Sequence, residues 1–294
     1  MTGTFPLIPR RRVLGLPFGG LHSLRRGIGS DVAGSRPYEP GDDIDEIDWY
    51  ASARLSLARG SEEFVVREHY ADEAPRVVVL CDRRPSLSVF GGEWPWLRKP
   101  EALRHAVTLI GDSATAARGL LGYLDEAEGE PYWRRPSSEA EGGLLEVDRP
   151  FRAPERTLAR CLGHLAEHRR ELPAGTFVFI LSDFLETPSR DDWLEALERR
   201  WEIVPVVIQD PVWEEGFPDV AGLAIPFEEA GLVRLSAGEV EQRREANAER
   251  RRALLHDLRA LDLEPVLVSS HEPRDVLYSF LSWADQRLFT RGRA

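Results

Sequence analysis

The sequence predicts an α/β protein built on a doubly wound, mostly parallel β-sheet. Short apolar runs alternate with longer segments in which apolar residues recur every three or four positions. The short runs are apolar on both faces, as strands between two helical layers must be. Two of the runs end in aspartate, which places carboxylates at the edge where open α/β sheets bind their ligands.

Five apolar runs are predicted to form the parallel strands. Each is short and nearly continuous, which is typical of a strand covered on both sides. A shorter run at 64–66 precedes them and is also strand-like. The five predicted strands are 77–81, 120–124, 176–181, 203–208 and 265–268.

Helical segments separate these strands. In the first of them Leu103, Val107 and Ile110 share one face, which is the pattern of a helix packed on a core. Strand and helix alternate about five times, so we expect parallel pairing with right-handed crossovers. The predicted helices are 100–118, 154–171, 189–200, 238–261 and 273–288.

Two regions interrupt the alternation. The segment 144–147 follows a loop at 129–143 that is rich in glycine, proline and serine, and we interpret it as an antiparallel edge strand. The pair 222–227 and 231–235 predicts a small β-hairpin inserted before the next helix.

Charge divides the chain before its first long apolar run. Residues 1–30 carry five arginines and no acid, whereas residues 31–50 carry seven acids and one arginine. Glycines and a lack of periodicity predict loops over 1–30. We expect residues 1–74 to form an N-terminal segment that wraps an α/β domain at 75–288, with a tail at 289–294.

Composition excludes several classes of protein. The formal net charge of -12 argues against a nucleic-acid binder, which needs a basic surface. The two cysteines, Cys81 and Cys161, lie in apolar patterns and are predicted to be buried, reduced thiols. No apolar stretch approaches the length of a membrane span. We therefore expect a soluble, cytoplasmic protein.

Candidate site residues follow the strands. Asp82 and Asp183 each follow a predicted central strand, and two carboxylates that converge there need a cation between them. The alternative is that each aspartate only caps the next helix. For Asp210 we prefer a cap or turn role, because Pro211 follows directly.

A longer motif lies upstream of these strands. The sequence runs Arg36-Pro37-Tyr38-Glu39-Pro40-Gly41-Asp42-Asp43-Ile44-Asp45-Glu46-Ile47-Asp48-Trp49 and continues to Arg54. It resembles the signature of the family called domain of unknown function 58, whose core is similar to a von Willebrand factor A domain, a Rossmann-like fold. The resemblance covers roughly residues 20–285.

The signature also has a physical interpretation of its own. Pro40-Gly41-Asp42 is a turn sequence in which glycine can adopt positive φ. The crowded aspartates that follow predict pairing with Arg36 and Arg54, since a guanidinium can satisfy two carboxylate oxygens at once. The predicted brace consists of Arg36, Tyr38, Pro40, Gly41, Asp42, Asp48, Trp49 and Arg54.

Within this brace we expect Trp49 to anchor the segment by burial. The brace is interpreted as structural or as a surface for docking a partner. The alternative is an enzyme in which the acidic cluster Asp42–Asp48 binds a catalytic metal.

The resemblance also implies a metal-ion-dependent adhesion site, in which an aspartate and two serines bind Mg²⁺. Here the loop reads Asp82-Arg83-Arg84-Pro85-Ser86, so an arginine stands at the first serine position. Asp183 is the implied second acid, and Thr157 is a candidate for the implied threonine. We expect a degenerate site in which Arg84 replaces the metal. The alternative is weak Mg²⁺ binding at Asp82, Ser86 and Asp183.

Members of that family are often paired with MoxR-type AAA+ ATPases, and the resemblance implies such a partner. The sequence contains no phosphate-binding loop of its own. We therefore expect a non-catalytic protein-interaction module, an adaptor in the assembly or maturation of other proteins, with no cofactor beyond weakly bound Mg²⁺. The alternative is a metal-dependent enzyme.

Overall fold

The computed structural model describes residues 3–10, 21–26, 32–39, 47–60, 63–88, 97–138, 148–227 and 231–291. The chain divides into two compact units. One comprises Arg10–Pro75, and the other comprises Met1–Pro9 together with Arg76–Ala294. The smaller unit is therefore an insertion near the start of the larger one.

The smaller unit contains a three-stranded antiparallel sheet and one helix. Its strands run in the order β1-β3-β2, so the first strand pairs with the third. The prediction of loops throughout 1–30 is wrong at 21–26, which form β1. The elements are β1 (Leu21–Arg26), β2 (Val32–Pro37), α1 (Trp49–Arg59) and β3 (Val65–Glu73).

The larger unit is built on a six-stranded sheet in the order β11-β8-β7-β4-β5-β6. All neighbours are parallel except β5 and β6. The predicted doubly wound, mostly parallel sheet is thus confirmed, as is the separate hairpin β9–β10. The strands are β4 (Arg76–Cys81), β5 (Leu120–Asp125), β6 (Tyr132–Ser137), β7 (Phe177–Ser182), β8 (Glu202–Ile208), β9 (Ala224–Phe227), β10 (Gly231–Arg234) and β11 (Val266–Val268).

Helices cover both faces of this sheet. Val178 and Ile180 of β7 pack with residues of α3, α4 and α5, whereas Phe179 between them contacts Phe280 and Trp283 of α6. In the described parts of the chain, no helix combines the length and apolar character that crossing a bilayer requires. The helices are α2 (Lys99–Ala116), α3 (Thr157–Glu167), α4 (Arg190–Glu198), α5 (Ala237–Ala260) and α6 (Pro273–Arg291).

The antiparallel edge strand differs from the prediction. It lies at 132–137, inside the predicted loop, while 144–147 lies outside the described residues. The register shifts opposite Gly122, where a Cβ atom would lie 2.8 Å from the carbonyl oxygen of Arg134. Glycine is therefore required for β6 to approach β5 so closely.

The first residues of the chain are part of the larger unit. Phe5 is buried against Phe179, Phe280 and Trp283, and its backbone N–H donates to the hydroxyl of Ser113 at 3.1 Å. Aromatic packing of this kind contributes beyond the area it buries. The unit is thus closed by a segment that precedes the insertion.

Both cysteines are buried and unpaired, as predicted. Burial raises the pKa of Cys81 to about 12 and raises that of Cys161 well above its ordinary value. Neither thiol is therefore a reactive thiolate at neutral pH.

Candidate functional site

The strand order reverses between β4 and β7, and this is where the two predicted carboxylates meet. Asp82 directly follows β4, and Asp183 directly follows β7. The backbone N–H of Asp82 donates to the carbonyl of Leu181 at 2.9 Å, which keeps the strand ends in register. Both carboxylates are fully buried. The pair therefore lies in the position where open α/β sheets bind ligands.

The Arg84 guanidinium lies between these carboxylates. Its Nε donates to both oxygens of Asp82 at 3.1 and 3.0 Å, and its Nη2 donates to Asp82 Oδ2 at 2.6 Å and to Asp183 Oδ1 at 3.4 Å. The hydroxyl of Ser182 donates to the same Asp82 oxygen at 2.6 Å. Only 8% of Arg84 is exposed. Bidentate pairing of this type is strong and fixes the geometry.

Burial acts to lower the pKa of Arg84, since a charged group loses its hydration there. The hydrogen bonds and charge of Asp82, with the charges of Asp183 and Glu186, outweigh that effect and raise the pKa above its ordinary value. Arg84 is therefore a permanent cation at the centre of the site.

A second buried cation, Lys99, completes the site. Its Nζ lies 3.2 Å from Asp183 Oδ2, donates to the carbonyl of Ser86 at 3.0 Å and pairs with Glu214 Oε1. Sequence reasoning missed it. Two signals were present: Lys99 is the only lysine of the sequence, and it lies in the first turn of α2, where the helix dipole disfavours a cation.

The loop after β8 supplies two further acids. Asp210 accepts backbone N–H groups from Leu97, Val212 and Trp213 at 2.8 to 3.1 Å, so its predicted turn role is confirmed. Burial raises the pKa of Glu214 above its ordinary value, and the charge and hydrogen bond of Lys99 counteract that rise. Glu214 was not anticipated, because five residues separate it from the end of β8.

The donors present do not fit a Mg²⁺ ion. The N–H groups of Arg84 already occupy the oxygens of Asp82, and the hydroxyl of Ser86 is buried without a hydrogen-bond partner. The hydroxyl of Thr157 donates to Glu126 at 3.0 Å. Among the described residues, no group of three histidine, cysteine, aspartate or glutamate side chains is placed to hold a metal ion. A hard cation that demands six oxygen ligands has no such set here.

The outward side of Arg84 is covered by Glu186. Arg84 Nη1 donates to Glu186 Oε2 at 3.0 Å, and the backbone N–H of Arg156 donates to the other oxygen at 2.8 Å. About a third of the Glu186 side chain, 35%, is exposed. Glu186 is thus the carboxylate through which the buried site reaches the surface.

Arg83 serves a separate cluster on the other side of β4. Its Nη2 donates to the Tyr123 hydroxyl at 2.8 Å, and that hydroxyl donates to Asp125 at 2.7 Å. Arg149 Nε donates to both oxygens of Asp125 at 2.9 Å. Consecutive arginines therefore tie β4 to the strands on either side, and the Asp125 group is a structural brace.

Helix α5 holds the loop that carries Glu214. The Asn247 amide donates to the carbonyl of Trp213 at 2.9 Å and to that of Gly216. Arg250 Nη2 donates to the carbonyl of Glu214 at 3.1 Å. The polar side chains of α5 therefore satisfy loop carbonyls that lie next to the site.

The comparison with family models is decisive for classification. The model described as "Protein of unknown function DUF58" matches residues 34–254. The chain belongs to the DUF58 family. Its curated relatives include the uncharacterized proteins Mb1516 of Mycobacterium bovis and Rv1480 of Mycobacterium tuberculosis, each 28% identical over 237 residues, or 79% of this chain and 71% of the relative.

Solved structures similar to this DUF58 chain share little sequence with it. BatB from Bacteroides thetaiotaomicron matches 72% of this chain and 99% of its own at 11% identity, with a TM-score of 0.43. A von Willebrand factor type A protein from Catenulispora acidiphila matches 64% of this chain and 45% of its own at 14% identity, with a TM-score of 0.34. The α/β fold of the DUF58 protein is established by its own strand order.

Helix α1 starts at the end of the DUF58 signature. Asp48 is its N-cap and accepts the N–H of Ala51 at 3.0 Å. Trp49 is 59% exposed, so the prediction that it is a buried anchor is wrong. Its ring instead meets the edge of Phe64 at 6.0 Å, and Tyr38 meets the same ring at 6.5 Å. The three rings form a small surface cluster, because α1 has no apolar face to bury.

The arginines of the DUF58 signature have other described contacts. Arg36 Nη1 donates to the carbonyl of Pro37 at 3.0 Å, and the Arg54 guanidinium lies 5.9 Å from the ring centre of Tyr50. Pro40, Gly41 and Asp42, with the rest of 40–46, lie outside the described residues, so the pairing predicted for them stays a prediction.

Proposed function

We propose that the DUF58 chain is a non-catalytic protein-interaction module whose docking face is the edge of the sheet around Arg84, a degenerate adhesion site. One observation carries the proposal: a guanidinium lies between Asp82 and Asp183, where the related adhesion sites hold a metal. With both carboxylates neutralised by side chains, the site offers neither an open metal position nor a free base. Such a site can fix a shape for a partner but has little means of catalysis.

The proposed partner is a MoxR-type AAA+ ATPase, as the family resemblance implies. In this proposal the chain is a cytoplasmic adaptor in the assembly or maturation of other proteins, and ATP hydrolysis belongs to the partner. The site supports a docking role because Glu186 brings its charge to the surface beside the sheet edge.

Replacement of the metal by Arg84 is tested by restoring a hydroxyl. We expect Arg84→Ser to gain Mg²⁺ binding that calorimetry detects, because the substitution frees the oxygens of Asp82 and removes a fixed positive charge. Arg170→Ser, at an exposed arginine with no described contact to the site, is the control. Tight Mg²⁺ binding by the unmodified protein would contradict the proposal.

The partner is tested by co-purification of the full chain with a co-expressed MoxR-type ATPase. We expect the ATPase to be retained by the unmodified chain and lost on Asp183→Ala, which removes the acid shared by Arg84 and Lys99. Asp285→Ala, at an exposed acid of α6, should retain it. Absence of the ATPase from the unmodified chain would refute the partner, and equal retention by Asp183→Ala would refute the docking face.

A further inference from the structure

A groove in the larger unit begins beside Glu186. It consists of two adjoining cavities of about 520 and about 380 Å³. Both are bordered by the loop after β7, and they share Thr187, Pro188, Arg190 and Asp257. The groove therefore runs from the Arg84 site along α4 and α5.

The half of the groove next to Glu186 presents two unpaired cations. Arg156 and Arg190 line it and are exposed, and among the described residues neither side chain has a hydrogen bond or an ion pair. Two of the neighbouring acids are engaged elsewhere, since Glu186 accepts from Arg84 and Asp192 accepts from Ser189, whereas Asp257 also lines this half of the groove. These two guanidinium groups are thus available to an anionic ligand.

The other half of the groove combines apolar and polar side chains. Leu185, Trp193, Leu254 and Leu261 line it, and Leu185 is exposed there. Asp257, also exposed, lies where the two halves join. A small free anion would need only the arginine half, whereas a polypeptide segment can fill both. Arginine clusters are a recurring means of binding acidic peptide motifs.

We propose that this groove binds an acidic peptide segment of a partner protein, with carboxylates on Arg156 and Arg190 and an apolar residue against Leu185 and Trp193. The proposal rests on the docking role proposed above and specifies the chemistry of the partner. It assigns a role to Glu186 as well. Because Glu186 is a carboxylate held by Arg84 at the mouth of the groove, its negative charge repels the carboxylates of the partner.

The test is a titration of the full ¹⁵N-labelled chain with two synthetic peptides. One has two glutamates followed by two leucines, and its twin has two glutamines in place of the glutamates. We expect the acidic peptide to shift the amide signals of 156–159 and 184–190 and to bind at least about fivefold more tightly than its twin, a difference equivalent to one exposed charge pair.

Three variants make the test specific. The double variant Arg156→Ala/Arg190→Ala should weaken binding of the acidic peptide at least about fivefold, and Glu186→Gln should tighten it about fivefold by removing a repelling negative charge. Arg169→Ala/Arg170→Ala changes the net charge equally at two exposed arginines after α3 and should leave binding unchanged.

Equal binding of the two peptides, signal shifts elsewhere, or unchanged binding by the Arg156/Arg190 double variant would overturn the proposal. None of these results depends on Mg²⁺ or on the ATPase. If Arg84→Ser gains Mg²⁺ binding and the ATPase co-purifies while the acidic peptide does not bind, the docking face is retained and only the groove proposal is wrong.

Discussion

Lys99 shows how much a single residue can contribute to a buried site. It is one of 38 basic residues, and it alone is a lysine. A compact ammonium can be enclosed by two carboxylates and a carbonyl, whereas a planar guanidinium needs more room. Both cations therefore neutralise the buried carboxylates. The Arg84 guanidinium does so on the more open side of the site, and the Lys99 ammonium does so in its interior.

Removing the positive charge of Lys99 should destabilise the folded protein. We expect Lys99→Met to lower the free energy of unfolding by about 3–5 kcal/mol, because Glu214 then remains buried without its cation and Asp183 keeps only Arg84. Equilibrium unfolding in urea measures this loss of free energy. The double variant Lys99→Met/Glu214→Gln should recover part of the loss, since it removes one of the stranded charges. A loss below about 1 kcal/mol would contradict the assigned role.

The loss should also depend on pH. The pKa of Glu214 in the folded protein lies above its ordinary value of 4.5, and loss of Lys99 raises it further. A raised carboxyl pKa stabilises the fold below the ordinary value, and that contribution disappears as pH rises through the folded pKa. Lys99→Met should therefore be less destabilised near pH 5 than near pH 7.5, and a pH-independent loss would exclude Glu214 as the cause.

Single residues also mark how far the sequence predicts the site. Asp82, Arg84 and Asp183 could be placed together, because strand ends and a departure from a known loop pattern point to them. Lys99, Glu186 and Glu214 could not, because each reaches the site from a helix or loop whose path the sequence does not reveal. Their charges resemble those of an ordinary solvated surface.

Among the helices and strands, those with a continuous apolar run could be predicted from the sequence. The runs that became β4, β7 and β8 are buried along their length, so composition alone identifies them. Helix α1 was missed because its tryptophan, tyrosine and last leucine face outward and leave no amphipathic stripe. Strand β6 was missed because Tyr-Trp-Arg-Arg-Pro-Ser has the composition of a loop.

The contact between α5 and the Glu214 loop gives a prediction for an element. We expect Asn247→Ala to cost about 1–3 kcal/mol in thermal unfolding and to speed hydrogen exchange in 210–217, because two loop carbonyls lose their donor. The matched control is Glu249→Ala on the same helix. It removes only an exposed pair with Arg252 and should cost less than about 0.5 kcal/mol. Equal effects would mean that the loop does not depend on α5.

For the whole molecule, the main feature is that the larger unit is discontinuous. The chain starts in it, leaves for Arg10–Pro75 and returns at Arg76. Insertion between two parts of one core is tolerated when both parts still reach their partners. Here the first part does so through Phe5 and through the Ile8 carbonyl, which accepts from Arg287 Nη1 at 2.8 Å.

A pair of phenylalanines tests this organisation. Phe5 is 4% exposed and Phe289 is 79% exposed. We expect Phe5→Ala to lower the free energy of unfolding by about 3–5 kcal/mol and Phe289→Ala to change it by less than about 0.5 kcal/mol, as followed by tryptophan fluorescence in denaturant. A small effect of Phe5→Ala would show that residues before the insertion are dispensable for the larger unit.

The docking of this first segment has a consequence during synthesis. The bond from Arg287 to Ile8 joins residues 279 positions apart, so the segment around Ile8 cannot complete its contacts until α6 has been synthesised. Contacts between residues so far apart in sequence form late, and they slow folding. Until α6 emerges, the side of β7 around Phe179 lacks its cover. We therefore expect the nascent polypeptide to depend on holdase chaperones until α6 has emerged.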